Sequence, residues 1–202
     1  MKRLTFVAAL AAALAVVVAV LAASPAGAAQ APGTWCGGTL WKLMTLSDAT
    51  RWTVYPTPIR TSIPAIANLT PPRRIVASRT TPFEQQVWAL TVVIERYRVQ
   101  SNGEIALELY DVPSSLYMNA YMPNPQCLSK ASHRSQILAA RSAFTRDCGA
   151  ATPAWTPLGA TARLQGIGFW NPVKTTLGAL GNGAELRPVT FFEPLQGCGR
   201  FG

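Results

Sequence analysis

Charge is scarce in this chain. Only 13% of its 202 residues are charged, and acids are outnumbered, 9 against 18 lysines and arginines. So few carboxylates leave little material for acid-base or hard-metal chemistry. Histidine is nearly absent: His133 stands alone, and its neighbours in sequence do not make up a Ser-His-Asp triad, so it reads as a packing or capping residue. None of the four cysteines lies in a C-x-x-C spacing, and with a single histidine that excludes the common structural zinc sites. Nothing in the chain calls for a cofactor. No run of five like charges occurs, so a basic nucleic-acid-binding tail is excluded as well.

What is abundant comes first at the N-terminus. Met1-Lys2-Arg3 opens a stretch, Leu4 to Ala23, that is almost wholly apolar, and Ser24-Pro25-Ala26-Gly27-Ala28 offers small residues of the A-x-A kind. This reads as an export signal over residues 1–28, with an uncleaved anchor as the alternative. Cleavage would remove Lys2 and Arg3, lowering the formal charge from +9 to +7. The remaining positive charge is spread through Arg51, Arg60, Arg73, Arg74, Arg79, Arg96, Arg98, Lys130, Arg134, Arg141 and Arg146. Spread cations solvate a surface, and they suit an anionic cell-surface polymer or another protein better than nucleic acid. After cleavage no stable membrane span is expected.

In an exported chain, Cys36, Cys127, Cys148 and Cys198 form two disulfides, for which three pairings exist. The preferred one joins Cys36 to Cys127 and Cys148 to Cys198. The first would tie an N-terminal arm to the end of a strand, and the second the end of a helix to the C-terminal tail.

The strongest β signal runs from Val87 to Met122. Three segments rich in β-branched and aromatic residues are separated by Asn102-Gly103 and by Pro113-Ser114-Ser115, which predicts an antiparallel meander. A three-residue loop with Gly103 left-handed is preferred, with Val99 opposite Leu107, Tyr97 opposite Leu109, and Arg98 opposite Glu108 on the outer face. That register also sets Glu95 against Asp111, a carboxylate pair able to hold a hard cation such as calcium. A calcium-dependent nuclease or phosphodiesterase is the alternative it supports. The competing reading gives Asp111 to a turn and Glu95 to an ion pair.

Around the meander, Thr39–Leu46 reads as a short strand. Residues 47–82 read as a Pro-rich arm anchored by Ile63, Ile66 and Leu69. One helix is predicted over Ser129–Asp147, with His133, Ile137, Ala140 and Phe144 on a single face. Two strands follow, Ala160–Trp170 with a bulge expected at Gly166 and Gly168, and Glu185–Phe192, where Pro188 demands an edge or a bulge. Three strands, a helix and two strands is the order of an OB-fold. The expected fold is therefore mainly β, a small five-stranded OB-like Greek-key barrel over residues 83–202, with residues 29–82 as strand and arm. In such barrels the loop between the last two strands, here Asn171–Ala184, is a usual ligand position.

The segment GIGFWNPVKTTLGALGNGAELRPV, Gly166 to Val189, resembles the C-terminal signature of a group of secreted, uncharacterised bacterial proteins of about this length. Its pattern is close to G-V-G-F-F-D-x-x-H-x-Q-x-G-x-A-x-N-x-I-E-L-H-P-V, accompanied by an early Cys-Gly, here Cys36-Gly37, and a Pro-x-Pro-x-Cys, here Pro123 to Cys127. The resemblance implies export, the fold and the Cys36–Cys127 bond, and no mechanism. Where the pattern has Asp and two histidines, this chain has Asn171, Lys174 and Arg187, so metal or proton chemistry resting on those three is lost here. Lys174 and Arg187, with Asn171, are instead candidates for an anion pocket. The expectation is a secreted binding or structural protein without a catalytic residue, with Trp35, Trp41, Trp52 and Trp155 as exposed contacts.

Overall fold

The computed structural model describes residues 36–199. The export signal expected over 1–28 and Trp35 lie outside the described residues. In chain order the elements are α1 Trp41–Met44, β1 Tyr55–Arg60, α2 Ile63–Ala67, β2 Gln86–Val99, β3 Ile105–Asp111, β4 Leu116–Met122, α3 Arg134–Cys148, β5 Thr156–Trp170 and β6 Ala184–Gln196. The protein is mainly β, with one six-stranded sheet in the order β1-β2-β3-β4-β6-β5. β2 also pairs with β5, so the pairings β2-β3-β4-β6-β5 return to β2 in a closed circuit.

The meander forms where its turn residues place it. Gln100 N–H donates to Glu104 O and Gly103 N–H to Gln100 O, which closes a three-residue loop with Gly103 at φ +80°, a conformation that suits glycine. The pairing differs from the expected one by two residues. Val99 faces Ile105, Tyr97 faces Leu107, and Arg96 rather than Arg98 faces Glu108. A shift of two keeps every side chain on its face, so the alternation of apolar and polar residues could not distinguish the two registers. The loop geometry does.

Inside the circuit, Leu107, Leu109, Met118, Ala120 and Leu186 are buried with Phe144 of α3. Phe144 packs edge-on against Tyr97 and Phe192, with ring centroids 5.0 and 5.3 Å away. The helix is set by Ile137, Ala140 and Phe144, the three apolar residues of the expected stripe. It starts five residues later than expected, because His133 at φ 54° breaks the chain direction just before it. His133 receives no catalytic partner and contacts Gln136 Oε1 at 2.6 Å.

The N-terminal region is more regular than its prolines suggest. Thr39–Leu46 is not a strand: it holds the short helix α1, with Trp41 and Leu43 buried. Within the expected irregular arm, β1 adds a sixth strand parallel to β2, and α2 begins at a Ser62 cap with Pro64 in its first turn. The expected anchors hold, since Ile63 and Ile66 are buried and Leu69 packs on the core. Arg79 fastens this region from inside, donating to Leu43 O and Glu84 O and pairing with Asp48 at 3.1 Å. Burial pulls its pKa below the usual arginine range, against the pull of Asp48.

Both disulfides have the expected connectivity, Cys36–Cys127 and Cys148–Cys198. They fit an oxidising, extracytoplasmic setting. No helix among the described residues is long and apolar enough to cross a membrane. Gly166 and Gly168 sit at register shifts between β5 and β6, as expected. Pro188 lies inside β6, which is paired on both sides, and it falls at an irregularity of that ladder rather than at an edge.

Candidate functional site

The outer face of β3 and β4 is the polar one. Alternation along these strands sends Leu107, Leu109, Met118 and Ala120 inward, and Glu108, Tyr110, Tyr117, Asn119 and Tyr121 outward. The chain from Asn171 to Gly183 folds back over this face. Asn119 donates to Leu177 O at 3.0 Å, and Asn182 donates to the carbonyls of Ile66, Ala67 and Leu69. Gly178 presses on the strands so closely that a Cβ would stand 2.7 Å from Asn119 Oδ1 and 2.8 Å from Glu108 Oε1, and its φ is +77°. Only glycine serves there without a shift of the buried side chains.

Under the loop lie two linked ionic groups. Arg96 makes paired hydrogen bonds to Glu108, whose carboxylate raises the arginine's pKa. Farther along, Arg187 holds Glu104 through two nitrogens and stands 3.8 Å from Glu185 Oε2. Its guanidinium lies 4.1 Å from the ring centroid of Tyr121. Glu185 accepts from Asn171 Nδ2 at 2.9 Å, while its Oε2 has no hydrogen bond. Burial pushes the Glu185 pKa up to about 7 although Arg187 and Asn171 both oppose that shift. Burial also raises the Tyr121 phenol.

A cleft of about 690 Å³ opens on this face between the loop and the strand ends, walled by Glu95, Arg96, Glu108, Tyr117, Pro157 and the loop residues 177–181. Position and composition make it the candidate site. Its carboxylate Glu108 is already paired, and Glu95 is exposed.

The residues singled out from sequence are distributed unevenly. Asn171 and Arg187 meet around Glu185, but Arg187 is buried and committed to carboxylates, while Lys174 is exposed. The anion pocket expected from Lys174 and Arg187 is therefore not assembled, because two carboxylates already hold the guanidinium. Glu95 falls at the β2 bulge and Asp111 pairs with Leu116, so the register does not place them opposite each other. Asp111 accepts from Ser114 N and Oγ, the turn role given as the competing reading. Among the described residues no group of three or more metal-ligating side chains converges. Of the tryptophans expected to be exposed, Trp52 is and Trp41 is buried, whereas Trp155 is half-buried against Arg96 and Arg98.

Sequence reasoning missed Glu104, Glu108 and the Trp155 contact as parts of one face. Glu104 was readable only as a loop end, and its partner Arg187 lies 83 positions away. Compared with known families and curated proteins, the chain matches no family model and no curated sequence.

Proposed function

We propose that this protein is an exported OB-like barrel that binds an anionic component of the cell envelope and does not turn it over. The closed circuit β2-β3-β4-β6-β5, with β4 and β6 parallel and α3 between β4 and β5 in the chain, supports the OB-like reading, with β1 as an added sixth strand. The export signal and the resemblance of Gly166–Val189 to secreted bacterial proteins support the location.

One observation carries the binding role. Eight of the nine carboxylates are engaged internally, Asp48 by Arg79, Glu84 by Thr80 and Thr81, Glu104 by Arg187, Glu108 by Arg96, Asp111 by Ser114, Asp147 by Arg146, Glu185 by Asn171 and Glu193 by Arg163, and the ninth, Glu95, is exposed. Arg60, Arg73, Arg74, Lys130, Arg134 and Lys174 face solvent with no such partner among the described residues. A surface of uncompensated cations attracts polyanions, and carboxylates spent on the protein's own groups are poor general bases.

A thermal-shift screen of the purified, oxidised protein tests this, with anionic wall polymer, oligonucleotides, calcium and EDTA as arms. Wall polymer is expected to raise the melting temperature, by an amount that shrinks with salt, and calcium to leave it unchanged. A calcium shift reversed by EDTA, with cleavage of an oligonucleotide that the paired change Glu95→Ala and Asp111→Ala abolishes, would replace this reading with the nuclease.

A further inference from the structure

Arg96 and Arg98 leave the same face of β2, two residues apart. Both guanidiniums lie over the Trp155 indole, 5.1 and 4.7 Å from the ring centroid. They differ in what else they hold. Arg96 is paired with Glu108 through two nitrogens, whereas Arg98 has no carboxylate partner among the described residues and its buried Nε donates to nothing. The nearby acids cannot serve it, since Glu108 holds Arg96, and Glu104 holds Arg187 and Asn102.

A guanidinium held against an indole loses side-chain freedom before any ligand arrives, which lowers the cost of binding. With Nε covered, the terminal amino groups are the donors left to an entering ligand. Arg98 lines an open cleft of about 540 Å³ with Gln100, Ser101 and Pro153, which sets an amide and a hydroxyl beside the cation. Planar, forked donors of this kind match the two oxygens of a phosphate or carboxylate.

We infer that Arg98, held by Trp155, is an oxyanion-binding residue, and that the cleft beside Gln100 and Ser101 receives a phosphate or carboxylate group. The assignment deepens the binding role proposed above and rests on it, since it gives the anionic partner a point of attachment. It is separate from the 690 Å³ cleft under the 171–183 loop, whose arginine is already paired.

The test follows the Arg98 Nε–H resonance of the ¹⁵N-labelled, oxidised protein, assigned by its disappearance in Arg98→Gln. Inorganic phosphate and glucuronate are titrated at constant ionic strength against chloride. A saturable shift of Arg98 Nε–H and of the Trp155 indole N–H is expected with phosphate or glucuronate, and which of them binds more tightly identifies the source of the oxyanion. Arg98→Lys keeps the charge and loses the fork, so it should bind about tenfold more weakly and still fold. An equal shift with chloride, or unchanged binding in Arg98→Lys and Arg98→Gln, overturns the assignment. Retention on immobilised anionic wall polymer separates the two readings. Loss of retention in Arg98→Gln supports both. Equal retention of parent and variant, with no oxyanion shift, removes the site and leaves the wider role. An oxyanion shift without retention of the parent keeps the site and removes the role.

Discussion

Glu185 is a carboxyl held almost wholly out of water. Its carboxyl is buried beside Arg187, and its pKa rises from the usual 4.5 to about 7. The folded protein therefore holds this proton to higher pH than the unfolded chain does. Between about pH 4.5 and 7 the folded state binds more protons, so this group makes the unfolding free energy fall as pH rises across that window and stay level above it. Glu185→Gln removes the titration. From pH 5 to pH 8 its stability relative to the parent should improve by on the order of 2 kcal/mol in urea unfolding. Identical pH profiles for the two proteins would show that Glu185 ionises normally. Arg187 makes the complementary case. Replacing it by Met leaves the fully buried Glu104 without its guanidinium, and the expected loss is about 3–5 kcal/mol in denaturant unfolding. Adding Glu104→Gln should recover most of that loss, since the uncompensated charge and not the missing contact dominates the cost.

At the scale of elements, β1 shows how a strand can be both sheet member and sheet end. Tyr55 N–H donates to Gln85 O and Thr61 N–H to Ala89 O, and the ladder with β2 is irregular between Tyr55 and Ile59. Pro56 and Pro58 lie in that irregular stretch of an exposed edge strand, where a free N–H would invite another chain, and they have none to offer. The double change Pro56→Thr and Pro58→Thr restores those donors. Sedimentation velocity should then show concentration-dependent association that the parent lacks. The same strand marks where pattern reading stopped. A stretch written YPTPIR has no apolar alternation and two prolines, and it becomes a strand because β2 offers an open edge and Gln86 Nε2 reaches Thr57 O at 2.6 Å. The meander and α3, by contrast, were legible, since each carries its own period and its own stop signals. Alternation did not give the register, because a slip of two preserves the face of every residue; the 101–103 loop sets it, and so the Glu95–Asp111 pair did not form while Arg96–Glu108 did.

For the whole molecule, the two disulfides close the chain across 91 and 50 positions. In the chain-entropy account each such closure contributes about 4–5 kcal/mol by limiting the unfolded chain. Cys148→Ala with Cys198→Ala is expected to lower the unfolding free energy by about 4 kcal/mol in denaturant unfolding of the oxidised protein, and dithiothreitol is expected to have no further effect once Cys36 and Cys127 are replaced as well. Two disulfides suit an oxidising, extracytoplasmic setting.

The sequence by itself determined the class, the strand-rich meander, the helix, the even number of cysteines and the excess of cations. All of these rest on local period, turn chemistry or composition. Tertiary structure alone decided which charges meet. Glu104 and Arg187 are 83 positions apart, and Trp155 reaches Arg96 and Arg98 from a different strand's approach. A charged side chain has no sequence period that announces its partner. Burial makes an unpaired carboxylate costly, so whichever cation the folded chain brings near is taken, and Arg98, left without a carboxylate beside the paired Arg96, is identified only once the acids of that face are assigned.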